Sequence, residues 1–103
     1  MVLDLSKING IGDYTNKTEE IGEGKALKTR TLFYKGEKVF LVENKNTIEL
    51  RTDEKLAKLL EEKYESVMES RYFGRGGIEI VPAGQLKQTE IEDLIRLSYD
   101  LTN

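Results

Sequence analysis

Residues 71–77 hold the side chains of this sequence that are best suited to binding a ligand. They read Arg71-Tyr72-Phe73-Gly74-Arg75-Gly76-Gly77. Guanidinium groups bind phosphates through paired hydrogen bonds, aromatic faces stack on bases, and glycines let the backbone approach a ligand closely. One interpretation is a nucleic-acid or anion contact through Arg71, Tyr72 and Arg75. The other is a connection between strands whose glycines adopt positive φ while Tyr72 and Phe73 fill the core.

A second glycine-containing stretch lies at residues 8–12, Ile-Asn-Gly-Ile-Gly. It resembles the hairpin of helix-hairpin-helix DNA-binding motifs, in which glycine amides hold a phosphate. The segment before it is short for a first helix, and the segment after it lacks small apolar positions, so a plain turn explains it better. Residues 71–77 lack the Gly-Lys-Ser/Thr ending of a Walker loop, and residues 10–12 do not continue into a dinucleotide-binding fingerprint, because position 15 is Thr.

Two residue types that dominate catalysis and metal binding are missing from this chain. It has no cysteine and no histidine, which excludes zinc fingers, iron–sulfur clusters, thiol nucleophiles and Ser-His-Asp triads. Only carboxylates, lysines, tyrosines and hydroxyls remain for chemistry. The acidic residues Glu61, Glu62, Glu90, Glu92 and Asp93 fit helix surfaces and helix starts. We therefore expect no catalytic site, no metal site and no cofactor.

Charge is distributed unevenly along the chain. The net charge of −3 divides into −3 over residues 1–24, +3 over residues 25–75 and −3 over residues 76–103. The basic middle includes Lys28 and Arg30, which we add to the candidate nucleic-acid or anion contacts. A dedicated DNA-binding domain is usually basic overall, so this distribution predicts weak DNA binding or a solvated surface of mixed sign.

Hydrophobic periodicity predicts an α+β fold built on an antiparallel sheet of about five strands. A loop-rich segment over residues 1–25, with one helical turn near Thr18–Ile21, precedes a three-strand meander. A helix, two more strands and a C-terminal helix follow, and both helices pack on the sheet. The predicted strands span residues 26–34, 38–43, 47–51, 66–70 and 77–81, and the helices run from Thr52 or Asp53 to Tyr64 and from Thr89 to Leu101.

Particular helix residues are expected to cap the helices or to face the core. Thr52 or Asp53 would cap the first helix, and Thr89 with Glu92 would form a capping box for the second. The residues expected in the core are Leu56, Leu59, Leu60, Tyr64, Ile91, Leu94, Ile95 and Leu101, with Tyr99 at its edge.

Length and hydropathy predict one domain over residues 1–103 without membrane attachment. A chain of 103 residues is long enough to bury a core without disulfides or metals. No segment approaches the roughly 20 apolar residues of a membrane helix, and the N-terminus lacks the pattern of a signal peptide. We therefore expect a cytoplasmic protein.

From about residue 27 to 102 the chain resembles the YjbR-like (MmcQ/YjbR) family and the related N-terminal domain of TfoX. Three stretches carry the resemblance in the same order. They are Lys-Gly-Glu-Lys-Val-Phe-Leu-Val at 35–42, Arg-Tyr-Phe-Gly-Arg-Gly-Gly-Ile-Glu-Ile at 71–80 and Glu-Asp-Leu-Ile-Arg-Leu-Ser-Tyr-Asp-Leu at 92–101. The resemblance implies an α+β fold of a DNA-binding type without enzyme activity.

Two hypotheses of function follow from these patterns. The first is a small non-enzymatic binding module that contacts DNA through its basic middle. The second is a protein-interaction or dimerising domain without nucleic-acid binding, because the edge of a short sheet can pair with another chain.

Overall fold

A six-stranded antiparallel sheet with two helices forms the protein in the computed structural model, which describes residues 4–23 and 26–103. Along the sheet the strands run in the order β1-β2-β3-β4-β6-β5. The α+β prediction, with helices packed on the sheet, is confirmed, and the sheet has one strand more than expected. The elements are a 3₁₀ turn at Leu5–Lys7, β1 Thr15–Glu23, β2 Ala26–Lys35, β3 Lys38–Glu43, β4 Ile48–Arg51, α1 Glu54–Lys63, β5 Val67–Ser70, β6 Gly74–Ile80 and α2 Gln88–Leu101.

The additional strand is β1, and it overturns the expected loop and helical turn. Residues 15–23 pair with β2 along their whole length, and the predicted turn at Thr18–Ile21 lies inside this strand. The residues of β1 are almost all polar, which fits a strand on which no helix of the described residues packs. Backbone pairing with β2 therefore forms the strand without a period-two hydrophobic pattern. Residues 4–14 of the predicted loop form the 3₁₀ turn and the irregular segment before β1, and residues 1–3, 24 and 25 lie outside the described residues.

The turn at residues 8–12 is a plain turn, as its flanking sequence indicates. The 3₁₀ turn before it has only three residues, and β1 follows it in place of a second helix. Ile8 and Ile11 pack against the hydrophobic core, so this segment closes one end of the domain.

One side of the sheet forms the hydrophobic core with both helices. α1 packs on β5 and β6, and α2 packs on β3 and β4. Each helix also corrects one prediction: Leu59 is 61% exposed and Leu101 is 44% exposed, although both were expected in the core. In α1 the small Ala57 takes the buried position. The main buried residues on this side are Phe33, Phe40, Leu41, Ile48, Leu50, Ile78, Ile80, Ile91, Ile95 and Tyr99.

The helix starts agree with the prediction for α1 and differ from it for α2. Asp53 caps α1 by accepting a hydrogen bond from the Leu56 amide at 2.7 Å. α2 begins at Gln88, one residue before the expected start. There the Glu90 carboxylate accepts from the Lys87 amide at 3.1 Å, so Glu90 and not Glu92 folds back on the first turn.

The other side of the sheet, here called the open face, has no helix packed on it in the described part of the chain. Strand alternation and register place on this face Lys17, Glu19, Lys28, Arg30, Leu32, Val42, Glu49, Arg51, Met68 and Glu79. A turn over Arg71–Phe73 folds across part of it, and Phe73 covers a small apolar cluster of Leu32, Val39 and Val42. No helix among the described residues is long and apolar enough to cross a membrane.

Candidate binding groove on the open face

Two glutamates form the centre of a polar network on the open face. Glu49 of β4 and Glu79 of β6 lie opposite each other in the register of the two strands. They are only 2% and 4% exposed. Both alternate with core residues along their strands, since Leu50 and Ile78 point to the helix side. Two neighbouring buried carboxylates require several hydrogen-bond donors each.

Arg71 supplies most of the donors for Glu79. Its Nε and Nη2 atoms donate to the two carboxylate oxygens at 3.0 and 2.9 Å. Thr47 adds a hydroxyl donor at 2.7 Å. Because a forked pair of hydrogen bonds fixes both position and orientation, this contact holds the start of the Arg71–Phe73 turn over the sheet.

Glu49 holds the rest of the turn. One of its oxygens accepts from the Ser70 hydroxyl and from the Tyr72 amide, both at 2.9 Å. The other oxygen accepts from the Asn44 side chain at 2.8 Å. The Ser70 hydroxyl in turn accepts from the Phe73 amide at 2.9 Å. Every oxygen of the two carboxylates therefore has a protein donor, which favours a structural role for both over proton transfer.

Two arginines of the sheet flank the two aromatic rings of this turn. The Arg30 guanidinium lies 5.2 Å from the centre of the Tyr72 ring, and the Tyr72 and Phe73 rings meet edge to face at 5.0 Å. The Arg51 guanidinium lies 4.8 Å from the centre of the Phe73 ring. Cation–π contacts of this kind stabilise the positions of both rings. Tyr72 remains 39% exposed and does not fill the core, whereas Phe73 is half-buried.

Gly74 makes the end of this turn possible. Its φ is +69°, a backbone conformation that residues other than glycine rarely adopt. The connection interpretation of residues 71–77 is therefore correct for Gly74. It is wrong for Gly76 and Gly77, which do not adopt positive φ, and for Tyr72, while Phe73 is half-buried against the apolar cluster of the open face.

An open groove of about 980 Å³ lies between the Arg71–Phe73 turn, the β3–β4 turn and the outer half of the β1–β2 hairpin. Four of the five predicted contact residues line it together, although they come from distant parts of the sequence: Lys28, Arg30, Arg71 and Tyr72. The fifth, Arg75, is exposed on β6 and is not among the lining residues.

Sequence reasoning missed several residues of the groove. Asn44, Lys45 and Thr47 belong to the β3–β4 turn, and Glu49 belongs to the strand that follows. A signal for Glu49 and Glu79 was present, since each is a single carboxylate between two apolar residues in a strand. That signal becomes specific only when the register places the two strands side by side.

The chemistry of the groove is that of polar and charged recognition. Its charged lining residues are four basic ones, Lys28, Arg30, Lys45 and Arg71, and two acidic ones, Glu43 and Glu49. Arg30 also pairs with Glu19 across the β1–β2 hairpin. Among the residues that the structure describes, no group of three or more acidic side chains is arranged to hold a metal ion.

Comparison with known proteins adds no relative. No family model matches the sequence, and no significant match was found among curated proteins or solved structures. The resemblance to the YjbR-like family consequently stays a prediction, and the function has to be argued from the groove itself.

Proposed function

We propose that this protein is a non-enzymatic binding module that binds nucleic acid, single strands in particular, in the groove on its open face. The observation that carries the proposal is the shared location of Lys28, Arg30, Arg71 and the exposed Tyr72 ring in one groove. Cations that track a phosphate backbone, together with an aromatic ring that stacks on bases, are the two parts of single-strand recognition. The proposed setting is the cytoplasm.

The distribution of charge between the two sides of the sheet supports binding of a polyanion on the open face. Basic lining residues outnumber acidic ones in the groove, and Glu49 is buried beneath it. On the other side, α2 carries four acidic residues, Glu90, Glu92, Asp93 and Asp100, against the single basic residue Arg96. A polyanion would therefore approach the open face and be repelled by the α2 side, even though the net charge of the chain is −3.

The aromatic part of the proposal rests on the Tyr72 ring. Its backbone amide is held by Glu49, and its ring is supported by Phe73 and Arg30. A ring fixed in this way loses little conformational freedom when a base stacks on it. The family resemblance, which implies a DNA-binding type of domain, points to the same class of ligand.

Titration of fluorescent single-stranded and duplex oligonucleotides at low and at moderate salt tests the proposal. The informative variant is Lys28→Glu with Lys45→Glu, and its matched control is Lys55→Glu with Lys58→Glu on α1, which changes the net charge equally. We expect the groove variant to lower affinity at least about tenfold, while the control has a small effect. The slope of the logarithm of the binding constant against the logarithm of salt concentration should become shallower by about 2 in the groove variant. Tyr72→Leu should weaken single-strand binding more than duplex binding.

Two results would contradict the proposal. One is the absence of binding by the natural protein at low salt. The other is an equal loss of affinity in the groove variant and in the α1 control, which would indicate a response to net charge alone. Circular dichroism of each variant shows whether it is folded.

A protein-interaction domain is the second candidate function. It is favoured by β1, which lies at the end of the sheet order and whose outer edge pairs with no strand of the described chain. This candidate predicts binding to another polypeptide without any response to oligonucleotides.

A further inference from the structure

The β1 strand leaves a long backbone edge for a partner. It spans nine residues, Thr15–Glu23, and forms one end of the sheet. In an antiparallel pair every second residue directs its amide and carbonyl away from the existing partner, so this edge presents a row of backbone groups with which no strand of the described residues pairs. Residues 15–22 along it are exposed or half-buried, and Lys17 and Thr18 are exposed.

The outer half of the β1–β2 hairpin also lacks strand pairing with the rest of the described sheet. β2 pairs with β3 only from Thr31 onward, so residues 19–23 of β1 and 26–30 of β2 project as a two-stranded arm. Leu27 on this arm is 73% exposed. Two-stranded ribbons are at best marginally stable in water, and a third strand added to the arm would stabilise it.

We propose that a second copy of this chain adds to the β1 edge, so that two β1 strands pair antiparallel about a two-fold axis at Thr18. Side chains of paired residues must lie on the same face of a continuous sheet. A two-fold axis perpendicular to the sheet therefore passes through one residue of β1, which leaves only a few possible registers.

The charges of β1 favour one of these registers, because the axis at Thr18 places opposite charges of the strand face to face and opposes no like charges. With the axis at Thr18, Lys17 lies opposite Glu19 of the partner subunit, and the same pair is repeated on the other side of the axis. Asn16 then faces the partner's Glu20, whose carboxylate can accept from the Asn16 amide. With the axis at Lys17, Glu19 or Glu20, two like charges would instead oppose each other directly.

The existing contacts of Glu19 fit this arrangement. Its carboxylate already binds Arg30 of β2 on the open face. In the proposed dimer the same carboxylate would lie between Arg30 and the partner's Lys17. On the helix side, Thr18 bonds to Thr31 at 2.9 Å, and this contact stays intact when a strand is added at the outer edge.

Two charge-reversal variants test the register. Analytical sedimentation at micromolar concentrations measures the self-association of each variant and of their mixture. The natural protein is expected to be a dimer. Lys17→Glu and Glu19→Lys should each weaken self-association at least about tenfold, because each places like charges opposite one another. An equimolar mixture of the two variants should form a heterodimer, because each glutamate then faces a lysine. A monomeric natural protein, or single variants that associate as tightly as the natural protein, would overturn the proposal.

Because the chain has no cysteine, a single introduced thiol reports the axis directly. Thr18→Cys should form a disulfide-linked dimer on mild oxidation, since residues opposite each other across antiparallel strands lie within disulfide reach. Asn16→Cys is the matched control, because its two copies would lie about 13 Å apart. Equal crosslinking of the two variants, or none in Thr18→Cys, would contradict an axis at Thr18.

Discussion

A single hydroxyl group joins α2 to the middle of β3 and to the end of β4. Ser98 is completely buried and donates to the Phe40 carbonyl at 2.5 Å, while its oxygen accepts from the Arg51 amide at 2.7 Å. The next residue, Tyr99, packs edge to face on Phe40 and donates to the Asp13 carbonyl. The part of the closing helix that carries the family resemblance therefore serves packing between the helix and the sheet.

Ser98→Ala should lower the free energy of unfolding by about 1–3 kcal/mol. The substitution leaves the Arg51 amide and the Phe40 carbonyl without their partner in a position that water does not reach. Denaturation by urea measures the loss, and Thr89→Ala, at an exposed position of the same helix, serves as the control. A loss below about half a kcal/mol would mean that these backbone groups find other partners.

The turn between β5 and β6 carries Arg71 and Tyr72 into the groove. Gly77 of β6 determines how closely this turn packs on the sheet. A Cβ atom at this position would lie 2.5 Å from the Phe73 Cβ and 2.8 Å from the Leu50 carbonyl oxygen. Neither neighbour is the flexible end of a side chain. The close approach lets Phe73 pack on the sheet, and Phe73 in turn supports Tyr72.

Gly77→Ala should therefore destabilise the protein by about 1–3 kcal/mol, because its methyl group forces the backbone or the Arg71–Phe73 turn to shift. Gly76→Ala is a matched control one residue away, where the nearest atom, the Thr52 carbonyl oxygen, lies at an ordinary 3.6 Å. We expect the control to change the free energy of unfolding by less than about 1 kcal/mol. Thermal denaturation compares the two variants, and similar losses would show that the tight contact at Gly77 is relieved without a penalty.

Elements with a hydrophobic pattern could be predicted from the sequence, and elements held by backbone pairing could not. β3 alternates between two buried sides, and the apolar residues of α2 recur at helical spacing, so both were located within a residue or two. β1 has neither pattern. Its pairing with β2 became visible only in the folded register, as did the pairing of Glu49 with Glu79 across β4 and β6.

The same distinction applies to the candidate site. The residue types of the 71–77 segment predicted a charged and aromatic contact, and Lys28 and Arg30 were added from the charge distribution alone. Their common location depends on the sheet order, which places the β1–β2 hairpin and the Arg71–Phe73 turn on the same face. The sequence could not show that Arg71 lines the groove and Arg75 does not. That difference depends on the paired hydrogen bonds between Arg71 and Glu79, which orient the Arg71 side chain.

At the scale of the whole molecule, the sheet is covered unevenly from one end to the other. Central strands β3, β4 and β6 lie between neighbours and beneath a helix, whereas the arm formed by residues 19–23 and 26–30 has neither. Stability against local opening should follow this gradient, because few buried apolar contacts hold the arm in place. The groove lies at the boundary, with one wall on the stable centre and the other on the arm.

Hydrogen exchange should reveal this gradient and connect it to self-association. In dilute protein the amides of the arm should exchange much faster than those of β4 and β6, since a two-stranded ribbon opens at little cost in free energy. Raising the protein concentration should slow exchange along β1 as the partner strand occupies its outer edge, and Lys17→Glu should abolish that dependence while leaving β4 unchanged. Arm amides protected as strongly as those of β4 at every concentration would contradict the unsupported arm. Protection that rises with concentration equally in Lys17→Glu would place the contact elsewhere on the molecule.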